Sequence, residues 1–272
     1  MTDETTASIE QHYGSDDLVD RILAALAAAG HDVERPTVAM FSLLDQLHGG
    51  GLNATVAQAE WLGVTGDMRV LDAGCGIGGS SRYLADTFGC RVEAIDLVPA
   101  YVEAAARLNA LCGLGGRISV RRGSVTALPF PDAAFDLVWS QNVTMNVADK
   151  PAMFAEAFRV LAPGGRFTFS HAAQGPAGPP HYPLPWARDP SYSFLGTPEE
   201  IVAWLEGAGF VEVETRTETG SPGTGRGQPS GELGPATAMG ADMPERRANA
   251  MRSGREGRLV GMVVVATRPG KG

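Results

Sequence analysis

The chain has 272 residues, with 31 acidic against 22 basic side chains, a net charge of −9 and 44% hydrophobic residues. That length suits one sizeable α/β core with insertions, and the acidic balance argues against a nucleic-acid partner, because binding phosphates needs a basic surface. Met1 to Thr6 has neither the basic nor the apolar stretch of a secretory leader, and the longest apolar run, Leu259 to Ala266, is far too short to cross a bilayer. A cytoplasmic protein with no membrane partner, acting on a small molecule as a monomer or homodimer, is expected.

Residues 1 to 15 are polar, and His12-Tyr13-Gly14 is placed to fold over a bound ligand, with Tyr13 a pocket candidate. Asp16 or Asp17 can cap a helix over Leu18 to Ala29, whose Leu18, Ile22, Leu23 and Leu26 form one apolar face and which Gly30 ends. A second helical segment is expected over 37–47, leading into His48-Gly49-Gly50-Gly51 as a hinge, and a third over 53–62. Residues 1–64 therefore read as an N-terminal helical cap.

A buried-type strand over 68–73 then runs into Gly74-Cys75-Gly76-Ile77-Gly78-Gly79-Ser80, with Asp72 just ahead of the turn. Glycines let the backbone pass close to a ligand, and a helix starting near Ser80 points its unpaired N–H groups at a carboxylate or phosphate. Gly74, Gly76 and Gly79 also satisfy the GxGxxG dinucleotide pattern, with Asp96 standing 22 residues after Gly74 as a ribose-binding acid. A carboxylate at Asp72, however, repels a pyrophosphate but can hydrogen-bond the α-ammonium of a methionine-like moiety. That favours S-adenosylmethionine over a nicotinamide dinucleotide. Cys75, Cys90 and Cys112 are an odd set without metal-type spacing, so they are expected to be reduced and structural, and no metal is expected.

Further strands are expected at 91–96, 117–121, 135–140 and 166–171, alternating with helices at 80–88, 99–113 and 150–162. Such alternation predicts a doubly wound parallel sheet of Rossmann-like type over 65–218. Beyond the turn at Gly196-Thr197-Pro198 come a helix over 199–207 and strands at 210–217 and 259–267. Residues 219–258 between those strands are rich in Gly, Pro and Arg and read either as a disordered excursion or as a lid insertion before the last strand, with 259–272 completing the core.

Ligands of open parallel sheets bind outside the carboxyl ends of the strands. Asp96 and Leu97 at one such end can hold ribose hydroxyls, and Gly123-Ser124-Val125 at the next can contact an adenine ring. Ser140-Gln141-Asn142-Val143-Thr144-Met145-Asn146 at the fourth faces the reacting end, with Gln141 toward the cofactor and Asn142 and Met145 toward an acceptor; strand-end capping is the plain alternative for the two amides.

With Leu128-Pro129-Phe130-Pro131-Asp132, Phe135-Asp136 and Arg159-Val160-Leu161-Ala162-Pro163-Gly164-Gly165 added to the glycine loop and Asp96, residues 65–215 resemble the class I S-adenosylmethionine-dependent methyltransferases. The resemblance implies an α/β, Rossmann-like sheet of seven strands whose last strand is antiparallel, and cofactor contacts from Asp72, Gly74, Gly76, Gly78, Asp96, Leu97, Ser124, Val125 and Gln141. Trp139-Ser140-Gln141 with Asp149-Lys150 looks like the sarcosine and dimethylglycine N-methyltransferases, although Asn146 stands where those often carry histidine. Val70-Leu71-Asp72-Ala73-Gly74 and Phe88-Gly89-Cys90-Arg91-Val92 look like the C-methyltransferases of prenyl diphosphates.

Methyl transfer from a sulfonium is an in-line displacement, so alignment and water exclusion are the protein's main tasks; a hydroxyl acceptor also wants a base. His171, after the fifth strand, and His48, before the glycine hinge, are the base candidates, with Asn146 at the position noted above. The segment 176–195 interleaves six prolines with His181, Tyr182, Trp186, Tyr192 and Phe194. Stiffened aromatic faces suit a methylated ammonium, an isoprenoid or an aromatic skeleton, so His181, Tyr182 and Trp186 are read as an acceptor wall. Arg246, Arg247, Arg252, Arg255 and Arg258 can grip an anionic tail or form a solvated face. A small-molecule methyltransferase with a slight preference for an amine nitrogen is the leading expectation; C- or O-methylation, a nicotinamide-dependent oxidoreductase and a non-catalytic cofactor-binding regulator stand as alternatives.

Overall fold

In a computed structural model the residues described are 17–218, 233, 236–240 and 242–270. The His12-Tyr13-Gly14 segment and all of 219–232 lie outside them. Seven strands form one sheet in the order β3-β2-β1-β4-β5-β7-β6, with β7 antiparallel to both neighbours, as expected. The chain divides into two compact units, one built on residues up to Gly123 with 225–243, the other on 124–224 with 244–272.

In the first unit, α1 (Leu18–Ala28), α2 (Val38–Phe41) and α3 (Gly51–Leu62) precede β1 (Arg69–Ala73), α4 (Gly79–Phe88), β2 (Arg91–Asp96), α5 (Pro99–Leu111) and β3 (Ile118–Arg122). Strands β1, β2 and β3 pair in parallel, Asp72 opposite Ala94 and Asp96 opposite Arg122, so both acids occupy carboxyl-terminal positions of their strands. Leu18, Ile22 and Leu26 bury the inner face of α1 in a cluster with Phe41, Leu44, Tyr101, Ala104 and Leu108. Asp17 occupies the N-cap of α1 but makes no capping bond; its carboxylate pairs with Arg21 at 3.2 Å.

The helix expected over 37–47 is a single turn, α2, followed by turns up to His48. Two things stop it. Ser42 donates its hydroxyl back to the Ala39 carbonyl at 2.8 Å, and Asp45 and Gln46 turn inward to serve a buried polar network described below.

In the second unit, β4 (Phe135–Gln141), a 3₁₀ turn (Thr144–Asn146), α6 (Lys150–Val160) and β5 (Leu161–Gln174) lead through the proline segment to α7 (Pro198–Gly207), β6 (Val211–Glu218), α8 (Ala236–Met239, which falls in the first unit), α9 (Met243–Arg255) and β7 (Leu259–Thr267). Thr197 and Glu200 form a capping box at the start of α7. The fifth strand is longer than the expected 166–171: Leu161 already pairs with Phe135, and Gly164 and Gly165 bond to Arg268. The Arg268 guanidinium donates to the carbonyls of Phe158 and Arg159 at 3.0 Å and to that of Leu161, closing the carboxyl end of α6 where a cation also meets the negative end of the helix dipole.

Both loop motifs of the second unit meet in one clamp. Arg159 donates to the carbonyls of Leu128 and Phe130 and to the Asp132 carboxylate, at 2.8 to 3.0 Å, while Glu156 accepts from Leu128 N at 2.7 Å and pairs with Arg159. The segment before β4 is thereby fixed to α6. Within the 219–258 insertion, α9 buries Met243, Arg246, Ala250 and Ser253, a helical spacing in which Arg246 and Ser253 do not read as apolar.

Candidate functional site

In the first unit the turn after β1 holds Gly76 and Gly78 at φ of +53° and +83°, a region where side chains are disfavoured. Gly79 opens α4, and a Cβ there would lie 2.6 Å from the Asp45 carbonyl and 2.7 Å from Gln46 Nε2, so the Asp45–Gln46 turn rests directly on this glycine. Asp96 braces the turn: Oδ2 accepts the Gly76 N–H at 2.8 Å and Oδ1 the Val98 N–H at 3.0 Å. Its burial raises its pKa in spite of these bonds.

Asp72 is almost fully buried and accepts the Ser81 hydroxyl at 2.5 Å. Desolvation pushes its pKa up to about 7, with the nearby Asp96 acting in the same direction and the Ser81 hydroxyl opposing. A buried carboxylate in this state is ready to gain from an incoming cation. Cys75 is buried with its thiol pushed well above the usual range, which suits a small structural side chain and not a nucleophile. Leu97 is half-buried, and its carbonyl accepts from Arg122 Nε at 3.2 Å.

The network beneath this turn had no signature in the sequence. Arg82, with no exposed surface, donates to Asp45 Oδ2 at 2.7 Å and to Asn109 Oδ1 at 2.9 Å. Gln46 donates to Asp45 Oδ1 at 3.0 Å and accepts from Thr55 Oγ1 at 2.8 Å. His48 belongs to the same network. Its Nδ1 faces the Gly49 carbonyl at 3.0 Å and its Nε2 faces Gln46 Oε1 and Thr55 Oγ1 at 3.1 Å; burial lowers its pKa. Both ring nitrogens of His48, read as a base candidate, are thus engaged within the turn's framework.

In the second unit, Gln141 at the end of β4 accepts the Trp139 indole N–H on Oε1 at 3.1 Å, and the Ser124 hydroxyl is paired with Thr126 Oγ1 at 2.8 Å beside a half-buried Val125. Asn142, at φ +55°, sends its N–H to the Ser170 carbonyl and opens the turn that carries the buried Met145 and half-buried Asn146. His171 is buried, stacks edge-on to Phe169 at 5.5 Å, and finds no hydrogen-bond partner for either ring nitrogen among the described residues. Desolvation, then the neighbouring Lys150, hold its pKa down near 3, so the ring is neutral.

Side chains alternate along a strand, so Phe167, Phe169 and His171 share the face of β5 that packs on Phe154 of α6, whereas Ala172 faces the other way. Ala172 joins Met145, Leu184, Trp186, Ala187, Ala250 and Leu259 in one apolar cluster, with Tyr182 and Leu195 against it. His171 and Trp186 therefore lie on opposite faces of the strand and do not share one wall. Within the proline segment, Trp186 Nε1 donates to Ser193 Oγ at 2.9 Å, and burial raises the Tyr182 phenol. His181 is paired with Glu256 at 2.7 Å, and Glu256 also takes Arg252 and Arg258; three of the groups read as pocket or tail contacts thus share one carboxylate. Among the described residues no cluster of His, Cys, Asp or Glu could hold a metal ion, and no helix is long and apolar enough to cross a membrane.

Residues 71–169 match the methyltransferase domain family, across β1 to β5. Over this stretch the chain is similar to S-adenosylmethionine-dependent methyltransferases. It is 35% identical over 153 residues to a sarcosine/dimethylglycine N-methyltransferase of Halorhodospira halochloris, covering 56% of this chain and 55% of that one. The geranyl diphosphate C-methyltransferase of Streptomyces coelicolor A3(2) superimposes with a TM-score of 0.67 at 22% identity, covering 97% of this chain and 98% of its own. A (4+2)-cyclase, SpnF, superimposes with a TM-score of 0.69 at 22% identity, covering 98% and 97%. At such identity these two structures establish the fold alone. The chain spans about half or less of the length of the curated relatives it matches.

The first unit brings Asp72, Gly74, Gly76, Gly78, Asp96 and Leu97 to the carboxyl ends of β1 and β2, and the second brings Gln141, Asn142, Met145 and Asn146 to that of β4. Sequence reading missed Asp45, Gln46 and Ser81, and took Lys150 only as half of an Asp-Lys pair that carries a resemblance. Only Ser81, nine residues beyond Asp72 on the next helix, had a local signal.

Proposed function

We propose that this chain transfers the methyl group of S-adenosylmethionine to a small-molecule acceptor. The observation that carries the reading is the buried, high-pKa Asp72 carboxylate beside a glycine turn, with Asp96 at the next strand end, in a chain whose residues 71–169 match the methyltransferase domain family. An acid in that state repels the pyrophosphate of a dinucleotide and gains from the α-ammonium of a methionine moiety. Asp96 spends one lone pair of each oxygen on backbone N–H groups and keeps the others for ribose hydroxyls. The cofactor supplies an activated methyl; the chain's task is to orient it and to exclude water.

Gly74, Gly76, Gly78, Leu97, Ser124, Val125 and Gln141 complete the proposed cofactor contacts, and Met145, Asn142, Tyr182 and Trp186 the proposed acceptor wall. An amine nitrogen remains the preferred acceptor atom because it needs no base, and the two expected histidines are a framework residue and a buried ring facing away from Trp186. Relatives include N-, O- and C-methyltransferases, so an oxygen or carbon acceptor is the second reading.

Incubation with methyl-labelled S-adenosylmethionine and fractionated metabolite extract, followed by mass spectrometry, tests the proposal. A labelled metabolite identifies the acceptor atom. Binding of S-adenosylhomocysteine without label in any fraction would favour a non-catalytic regulator, and binding of a nicotinamide dinucleotide in its place would overturn the reading.

A further inference from the structure

Lys150 is the first residue of α6, behind the N-cap Asp149, whose carboxylate accepts the Ala152 N–H at 3.0 Å. Its side chain is 3% exposed. Nζ donates to the Val147 carbonyl at 2.9 Å and to the Phe194 carbonyl, and lies 5.7 Å from the Trp204 ring centre. The Phe194 N–H in turn donates to the Met145 carbonyl at 2.8 Å. One ammonium thus ties together the turn that follows β4 and the end of the proline segment. Burying a charge between carbonyls is costly, and an apolar side chain would fill the same space without that cost. The charge is explained by the joint it makes.

We propose that Lys150 is the positioning residue of the acceptor site, fastening the Thr144–Val147 turn to Phe194 so that Met145 and the Trp186 wall keep one fixed spacing. The proposal rests on the reading of these two segments as acceptor walls. Both segments lie in the second unit, whereas Asp72 and Asp96 belong to the first. Loss of the joint therefore loosens the acceptor wall and leaves in place the hold of these two acids on the cofactor, on which the affinity chiefly rests.

Amide hydrogen exchange of Phe194 reports the joint without any need to know the acceptor. In Lys150→Met, exchange of the Phe194 amide should accelerate about tenfold or more, while amides of β1 and β2 keep their protection. Lys150→Arg, which keeps charge and donors, should return it to within about threefold of the unsubstituted chain. S-adenosylhomocysteine affinity, measured by calorimetry on the same samples, should stay within about twofold. Unchanged Phe194 exchange in Lys150→Met overturns the proposal, as does equal acceleration of all core amides or a failure of arginine to restore protection. Should Lys150→Met not fold, Lys150→Gln removes the charge and keeps one donor group, and the same comparisons apply. Failure of the unsubstituted chain to bind S-adenosylhomocysteine would remove the acceptor role along with the methyltransferase reading, whatever the exchange data show.

Discussion

Ser81 donates its hydroxyl to the buried carboxylate of Asp72 across 2.5 Å, from the first turn of α4 to the end of β1. That bond keeps an acid in a dry site, yet desolvation still lifts its pKa to about 7. Binding an ammonium there requires the ionised acid. Cofactor affinity should consequently rise with pH up to about 7 and level off above it, falling about tenfold per unit below, where a proton must first be expelled. Calorimetric titration of S-adenosylhomocysteine across that range checks it, and Asp72→Asn should flatten the profile and weaken binding.

The same shift has a consequence for stability of opposite sign to the usual carboxylate case. The folded pKa lies above the ordinary carboxylate value of 3.8, so the folded state holds a proton the unfolded chain has released, and stability is lost as pH rises from that value to about 7. Asp72→Asn should therefore raise the melting temperature at pH 8 by several degrees, at about 2 to 4 °C per kcal/mol for a chain of this size, while impairing binding. A lower melting temperature would show that the ionised Asp72 is stabilised by more than Ser81.

Asp96 has a double role that separates it from Asp72. Its oxygens hold the N–H groups of Gly76 and Val98, so Asp96→Ala should weaken cofactor binding and also destabilise the fold, by about 1 to 3 kcal/mol. Asp96→Asn keeps one acceptor oxygen and should lose less stability than affinity. Denaturant unfolding beside calorimetric binding distinguishes the two losses; equal stability in Asp96→Ala would mean that water replaces the carboxylate at both N–H groups.

The alternating strands, the glycine turn and both acids were legible because each is written in local spacing, and the antiparallel last strand came from the resemblance. The Arg82 network was not, since Asp45, Arg82 and Asn109 come from three distant segments that only the folded chain brings within 2.9 Å. Helix α9 escaped because its buried face is Met243, Arg246, Ala250 and Ser253, where arginine and serine erase the apolar period. His171 was read as following the fifth strand, whereas it lies within β5; a single residue separates the two faces there, and only the pairing register decides which side a given residue takes. The Leu-Pro-Phe and Arg-Val-Leu motifs were recognised as family marks, while their physical reason, the Arg159 clamp, becomes visible in three dimensions.

That buried network gives the most severe stability prediction. Arg82 and Asp45 pair at 2.7 Å with side chains 0% and 2% exposed, and Phe41 covers the guanidinium at 5.7 Å. Asp45→Ala leaves a buried cation with only Asn109 as partner and removes the acceptor that orients Gln46 over Gly79. The cost should be about 3 to 5 kcal/mol, enough to approach the whole stability of an ordinary domain, and it should appear as a large drop in the denaturant midpoint. Replacing both members at once, as Asp45→Leu with Arg82→Met, should recover most of that loss by removing the uncompensated charge. Recovery without restored S-adenosylhomocysteine affinity would show that the pair serves the glycine turn's geometry; a double variant as unstable as Asp45→Ala would show that packing on Gly79, and not charge, sets the cost.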